Sequence, residues 1–407
     1  MTKFVFVSNY LNHHQIPFCN AVSGLLGGDF FFIQTEPMEQ ERVTMGWEER
    51  ADIPYLRKYY EEPESCRELI SSAKVVLFGG CDEESYISHR LQAGKPVIRY
   101  SERLYKTGQW KAVSPRGLKK KYHDHTRYRK QPVYLLCAGA YVPSDFHLVG
   151  AYPGKMRKWG YFPETRKYDI ARLMEGKDSG RILWAARLLD WKHPELPLRT
   201  AAYLKGRGCS FHLDMVGGGE LERQVISLVE KLHLQDVVTL HGYCPPEQVR
   251  SMMERAAVYL ATSDRQEGWG AVVNEAMNSG CAVVGSSKMG AVPYLIRHRE
   301  NGMIYRDGSP ESLFRMTAEL LEDRELCRRL GQEAYETVTT EWNGEKAAER
   351  LLGFCVRQQF LDAADIPDTV DWESEPVSGP LSPAPVIPER KMYSALKYER
   401  NEASLRF

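Results

Sequence analysis

No C-x-x-C pair occurs among the nine cysteines (Cys19, Cys66, Cys81, Cys137, Cys209, Cys244, Cys281, Cys327 and Cys355), which are odd in number and scattered along the chain. Their spacing excludes a disulfide framework and a zinc site of paired thiols, and predicts reduced, mostly buried side chains. No apolar run approaches the roughly 20 residues that a transmembrane helix needs. The opening MTKFVFVSNY also lacks the long apolar core of a signal peptide, so a cytosolic location is expected. Neither sign of charge is in excess: Lys plus Arg and Asp plus Glu both number 54, so no global field calls for nucleic acid. There is no repeat of solenoid period.

What is present is an ordinary globular composition, 43% hydrophobic and 27% charged over 407 residues, long enough for two or three domains with separate cores. Short β-branched and aromatic runs recur at KFVFVS (3–8), DFFFIQ (29–34), VVLF (75–78), PVIRY (96–100) and VYLLC (133–137), with amphipathic stretches between most of them. A second series follows at ILWAAR (182–187), FHLDMVG (211–217), VVTLHG (237–242), VYLATS (258–263) and AVVGSS (282–287). Buried strands alternating with helices predict an α/β chain with two doubly wound parallel sheets. Two such domains in tandem would face each other across a cleft at the carboxyl ends of their strands, the usual ligand site of open sheets.

The expected domains are 1–159 and 160–345, joined through KMRKWGYFPETRKYD, which carries little strand or helix signal. A helix at 346–362 is expected to pack back on the N-terminal domain. Residues 366 to 390 hold six prolines among serines and acidic residues, so 363–407 reads as an extended or disordered linker and a tail. The end, ERKMYSALKYERNEASLRF, has the spacing of a short amphipathic helix with Met392, Tyr393 and Leu396 on one side; a frayed tail is the alternative.

Chemistry concentrates in ATSDRQEGWGAVVNEAMNSGCAVVGSS (261–287), which reads as strand, loop, helix, strand. The loop delivers the chain to a helix start, where unpaired amides and the macrodipole favour an anion. Gly268 and Gly270 allow close backbone approach. Glu267 and Glu275 lie on the order of 8–12 Å apart at the helical rise, the scale of a ligand with a central diphosphate and a hydroxyl-rich sugar at each end, and a carboxylate suits paired hydroxyls. In AARLLDWKHPE, Arg187 closes a strand and Lys192 follows in a loop ending where Pro194 can start a helix; two cations there can neutralise a leaving diphosphate. DMVGGGELERQV adds a turn at Gly217, Gly218 and Gly219 with room for a ligand.

With these residues in place, the chain resembles the retaining glycosyltransferases of family 4, group 1 glycosyl transferases with the GT-B fold. The resemblance covers about residues 160 to 355 well and the N-terminal half in outline. It rests on the E-x(7)-E spacing of Glu267 and Glu275 within EGWGAVVNEAMNSGCAVVGS, the GAVPYLI and NGMIYRDG segments with Asn301 and Gly302, EWNGEKAAERLL, Arg187, Lys192 and the VGGGE turn.

Carried over by position, it implies that Glu267 contacts donor-sugar hydroxyls and that Gly268, Trp269 and Gly270 line the sugar. Ala271 and Val272 would offer amides to the β-phosphate, Glu275 would hold the ribose hydroxyls, and Arg187 and Lys192 would bind the diphosphate. His241 and Tyr243 fall where relatives hold the base, so they are read as lining the donor. The family requires no divalent metal, and the cleft loops contain no D-x-D sequence; no cofactor is implied. The leaving phosphate would help to deprotonate the acceptor.

The N-terminal half departs from the family in two loops. SNYLNHHQIPF has no glycine pair, and Asn12, His13 and His14 there either face the acceptor or cap the next helix. SERLYKTGQW lacks the family's histidine, and Glu102 or Ser101 takes that place. In RGLKKKYHDHTRYRK (116–130), seven of fifteen residues are Lys or Arg, with Tyr122 and Tyr128 among them. The segment is either a solvated face or a patch for anionic lipid or a lipid-diphosphate acceptor. No module for nucleic acid is present. Trp184 and Cys281 are expected in the core, and Asp264 either caps the helix-start loop or orients Arg265.

The expected function is retaining, metal-independent transfer of a sugar from a nucleotide donor, UDP-sugar favoured over GDP-sugar. The acceptor would be a lipid-linked or growing surface polysaccharide, met at the inner face of the membrane. The alternatives are a non-catalytic GT-B binding or chaperone subunit and a nucleotide-sugar epimerase.

Overall fold

The computed structural model describes residues 2–38, 53–306 and 309–387. The proposed helix around Met392, Tyr393 and Leu396 lies outside them. Contacts divide the chain into two compact units: one runs to Glu164 and resumes at Trp342, and the other spans Thr165–Glu341.

The first unit holds β1 (Phe4–Ser8), β2 (Phe30–Gln34), β3 (Leu56–Lys58), β4 (Val75–Phe78), β5 (Val97–Ser101), β6 (Val133–Ala138) and β7 (Met156–Trp159), in spatial order β3-β2-β1-β4-β5-β6-β7. All pairings are parallel. Helices cover parallel sheets on both faces, so the inner strands are apolar throughout; every residue of β1 and β4 is buried. The helix Gly344–Arg357 lies against the helix Ile16–Leu26 so closely that a Cβ on Gly344 would stand 2.7 Å from the amide nitrogen of Phe18.

Two segments that meet at one edge of this sheet differ from the sequence expectation. Met156–Trp159, inside the stretch with little strand signal, is the edge strand β7, its half-buried Arg157 and Lys158 masking the apolar run. The Pro-rich segment then caps that edge: Leu381 donates its amide to Lys158 at 2.9 Å, Lys158 to Ser382 at 2.8 Å and Ala384 to Met156 at 3.2 Å. Leu381 and Ser382 are each 1% exposed, so the segment around them is a packed strap rather than a free linker. Covering an edge removes a template for unwanted strand pairing.

The second unit holds β8 (Asp178–Ala185), β9 (His212–Val216), β10 (Val238–Leu240), β11 (Ala256–Ala261), β12 (Ala282–Ser286) and β13 (Met303–Tyr305), in order β10-β9-β8-β11-β12-β13. These too are all parallel. Its core gathers Ile182, Trp184, Leu213, Met215, Val258, Leu260 and Val284, and Cys281 is fully buried. Strand order reverses between β8 and β11, the place where open α/β sheets bind ligands. The loops leaving those two strands carry Arg187 and Lys192 on one side and Glu267 on the other.

Candidate functional site

In the second unit, the loop after β8 is held by the glycine turn after β9. A Cβ at Gly217, where φ is 134°, would lie 1.9 Å from the carbonyl oxygen of Ala186, so only glycine fits. Leu188 donates its amide to Gly218 at 2.9 Å, and the missing side chain of Gly218 faces open space. This turn therefore shapes the loop that presents Arg187 and Lys192. Arg187 is exposed and has no ion pair or side-chain hydrogen bond among the described residues.

The Lys192 ammonium pairs with the Glu267 carboxylate; the two side chains are 13% and 14% exposed. The ammonium also lies 4.2 Å from the ring centroid of Trp191, and Ser263 donates its hydroxyl to Glu267 at 3.2 Å. The cation expected at the diphosphate and the acid expected at the sugar are thus side by side. Thr262 fixes the loop by donating its hydroxyl to the carbonyl of Lys192 at 2.7 Å.

Behind Glu267 the packing is tight. A Cβ on Gly290 would lie 1.8 Å from the carbonyl oxygen of Gly268, so the GAVPYLI segment backs the loop directly. Gly268 is buried and Gly270 half-buried at φ 95°. Trp269 differs from its expected place along a sugar: its ring is fully buried, and the indole donates to Asn274 at 2.9 Å. An indole of that size gains more from the core than from the loop surface, leaving only backbone on the loop side. Ala271 and Val272 begin the helix Val272–Asn278, where amides lack intrahelical acceptors. Glu275, one turn in, has its carboxyl pushed up by burial, an effect Arg250 and Arg166 only partly offset. Among the described residues its carboxylate accepts no hydrogen bond.

His241, expected to line the donor, is tied at 2.7 Å to Asp214 on β9, which also accepts from Arg181 at 2.6 Å; a buried carboxylate recruits whatever donors are near. Tyr243 is 65% exposed. Asp264 accepts the amide of Gln266 at 2.8 Å.

In the first unit, Asn12 accepts the amide of His14 at 3.0 Å, a turn that precedes the helix rather than capping it. His13 is exposed. The half-buried His14 ring stacks on Tyr161 at 5.9 Å between centroids and 4° between planes. The Tyr161 hydroxyl donates to Glu102 at 2.5 Å, and Glu102 also pairs with Lys106; Ser101 turns away, donating to the Glu102 carbonyl at 2.7 Å. One cluster therefore joins His14, Tyr161, Glu102 and Lys106. Beneath it, Gln15 donates to Ser8 at 3.3 Å and to the Tyr100 hydroxyl at 3.2 Å, and burial pushes the Tyr100 phenol up to about 12. Tyr161, Lys106 and Gln15 escaped the sequence reading because they lie far apart in the chain; the polar residue at the end of β5 was the only signal.

The basic segment forms the helix Pro115–Asp124, none of whose residues is buried. Trp110, Val113, Leu118 and Tyr122 are 66%, 72%, 40% and 55% exposed around it. Tyr128, grouped with Tyr122 from sequence, is instead buried. Among the described residues no helix is long and apolar enough to cross a membrane, and no group of His, Cys, Asp and Glu could hold a metal ion.

Two doubly wound parallel sheets of this order define a GT-B protein, and the second carries a lysine–glutamate pair at its switch point. Residues 166–337 match the family described as glycosyl transferases group 1. The amylovoran biosynthesis glycosyltransferase AmsK of Erwinia amylovora is 29% identical over 176 residues, 42% of this chain and 43% of that protein. The putative colanic acid biosynthesis glycosyltransferase WcaL of Salmonella typhimurium is 28% identical over 177 residues, again 42% and 43%. The matches thus span less than half the length of these relatives. Among solved structures, Anabaena HepE in complex with UDP superposes with a TM-score of 0.62 at 13% identity, covering 87% of this chain and all of that one. WaaG, a glycosyltransferase involved in lipopolysaccharide biosynthesis, gives 0.57 at 15% identity, covering 85% and 98%. At such identities the likeness is one of fold.

Proposed function

We propose that this chain is a retaining glycosyltransferase of the family 4 type, moving a sugar from a nucleotide donor, UDP-sugar favoured over GDP-sugar, to a hydroxyl of a lipid-linked or growing surface polysaccharide. The observation that carries the reading is the Lys192–Glu267 pair at the switch point of the second sheet. At rest the two charges satisfy each other. A bound nucleotide sugar gives each a better-matched partner, the diphosphate for Lys192 and the sugar hydroxyls for Glu267.

Arg187, exposed and uncommitted, adds a second cation to the diphosphate, and the amides of Ala271 and Val272 add dipoles. These groups supply the positive charge that a divalent ion would otherwise bring, which supports metal independence. Glu275 is a desolvated carboxylate with no donor among the described residues, a costly state that ribose hydroxyls would relieve. The bond from the anomeric carbon to the diphosphate breaks as the acceptor oxygen attacks from the same face, and the acceptor proton passes to a diphosphate oxygen. In the first unit, Glu102, positioned by Tyr161 and Lys106, together with His13, His14 and Asn12, is the proposed acceptor side. The glycosyltransferase names of AmsK and WcaL support the assignment and its polysaccharide setting.

Calorimetric titration of UDP, GDP and their sugar conjugates, without metal and again with EDTA, tests the donor site. One conjugate should bind, and Glu267→Ala should weaken it far more than the bare nucleotide. If no nucleotide binds the wild type, a non-catalytic subunit becomes the better reading; conversion of the donor without acceptor would favour an epimerase.

The exposed Trp110, Val113, Leu118 and Tyr122, set among the cations of the helix Pro115–Asp124, support peripheral contact with anionic lipid at the inner face of the membrane. Vesicle flotation checks this: replacing Lys119, Lys120 and Lys121 with Gln should abolish binding to anionic vesicles, and unchanged binding would end the idea.

A further inference from the structure

The residue after Lys192 has no role in the reading above. His193 stands in the left-handed region at φ 52°, a conformation a non-glycine residue adopts only when its surroundings hold it there. Its imidazole lies between two carboxylates: Nδ1 is 3.1 Å from Glu195, which opens the helix Glu195–Gly206, and Nε2 is 3.7 Å from Asp264, in the loop after β11. The contacts to Asp264 and Glu195 raise the imidazole to about 10, so the ring is a cation in the neutral range, with Nδ1 donating to Glu195 and Nε2 in an ion-pair contact with Asp264.

Other bonds converge on the same two loops. Asp264 donates its amide to the carbonyl of Trp191 at 2.9 Å, and the Thr262 hydroxyl reaches the carbonyl of Lys192 at 2.7 Å. The Lys192–Glu267 pair itself spans the gap, but a ligand taking both side chains would break it. The His193 bridge would then remain as an ionic link between the loops.

We propose that His193 is a positioning residue for the diphosphate site: clamped between Glu195 and Asp264, it holds the loop carrying Lys192 against the loop carrying Glu267 while those two side chains engage the ligand. The inference rests on the donor-site reading. Displacement of a binding group by about 1 Å is enough to cost up to a hundredfold in function, so a clamp one residue from Lys192 acts where the geometry is most sensitive.

The test is titration of UDP into wild type, His193→Asn, Asp264→Asn, Lys192→Ala and the double variant His193→Asn/Lys192→Ala, with thermal midpoints measured alongside. Asparagine tolerates the left-handed conformation, so His193→Asn removes the charge and keeps the turn. His193→Asn and Asp264→Asn should each weaken UDP binding about tenfold with unchanged folding, and His193→Asn should cost little more once Lys192 is gone. UDP affinity within twofold of wild type in a folded His193→Asn protein would overturn the proposal, as would effects of His193→Asn and Lys192→Ala that simply multiply. Should His193→Asn fold poorly, Asp264→Asn gives the same readout from the other side of the clamp. Failure of the wild type to bind UDP or GDP would remove the donor-site reading itself and the inference with it, whereas normal wild-type binding with a neutral His193→Asn removes the inference alone.

Discussion

The two sheets share a strand order around their switch points, yet the loops at the carboxyl ends of their strands are built differently. In the second unit the loops after β8 and β11 are shaped by backbone against backbone, with Gly217 under the Ala186 carbonyl and Gly290 under the Gly268 carbonyl, and only a few charged side chains project. In the first unit the loops after β1 and β5 are filled by side chains, His14 on Tyr161 and Tyr161 on Glu102. A backbone cradle suits an invariant feature such as a diphosphate, because amides and helix ends recognise charge without regard to the rest of the ligand. A side-chain cluster can change with its partner while the sheet stays the same. The half proposed to bind the donor should therefore be intolerant of substitution, and the half proposed for the acceptor graded.

The sharpest break in that contrast should come at Lys192. Removing a cation aimed at developing charge costs typically 10²–10³ in rate, so Lys192→Ala should lower kcat by about that factor, read as sugar transfer at saturating donor. A loss under tenfold would mean that the leaving group is stabilised elsewhere. Next in size is Gly290→Ala. The new methyl would meet a carbonyl oxygen at 1.8 Å, and backbone cannot move aside as a side-chain end can. Overpacking of this kind costs roughly 1–3 kcal/mol, seen as a lower thermal midpoint for the second unit together with weakened nucleotide binding.

The same contrast explains how much could be read from sequence. Inner parallel strands announce themselves, and VVLF, VYLLC and AVVGS became β4, β6 and β12 because both faces are buried and polar residues are excluded. β7 did not, because an edge strand keeps Arg157 and Lys158 half in solvent. The strap at 381–384 was illegible for the complementary reason: proline-rich composition describes the local chain, whereas its order comes from β7, more than 200 residues earlier. In the candidate site, Glu267, Glu275 and Lys192 were legible because a short strand–loop–helix unit places them by spacing alone. The inward turn of Trp269, the tie of His241 to Asp214 and the service of Tyr161 to Glu102 depend on neighbours distant in sequence, which no spacing encodes.

Glu275 offers a smaller test with the opposite sign for stability and function. Burial raises its carboxyl above the ordinary value. Such a group holds its proton more tightly folded than unfolded, so it favours the fold at acidic pH, and that contribution is lost as pH rises through the folded value; at neutral pH the buried charge is a cost. Glu275→Gln should therefore stabilise the ligand-free protein by roughly 1 kcal/mol at pH 7, with the gain shrinking as pH falls toward the carboxylate range, while nucleotide binding weakens. A destabilised Glu275→Gln protein would show that the carboxylate serves the fold and not a ligand.

The smallest effect is expected on the acceptor side, at Tyr161→Phe. The substitution keeps the ring on which His14 stacks and removes only the hydroxyl that donates to Glu102 at 2.5 Å. Lys106 still pairs with the carboxylate, so Glu102 is left under-satisfied rather than abandoned. A hydrogen bond to a charged group is worth about 1.5–3 kcal/mol, and a half-buried carboxylate recovers part of that from water. The expected loss in kcat/KM for the acceptor is thus about three- to tenfold, with donor affinity unchanged by calorimetry. That split sharpens the contrast between the two halves: a Tyr161→Phe protein that bound donor more weakly would show that the side-chain cluster of the first unit serves the diphosphate ligand as well, and that the acceptor assignment of Glu102 is wrong.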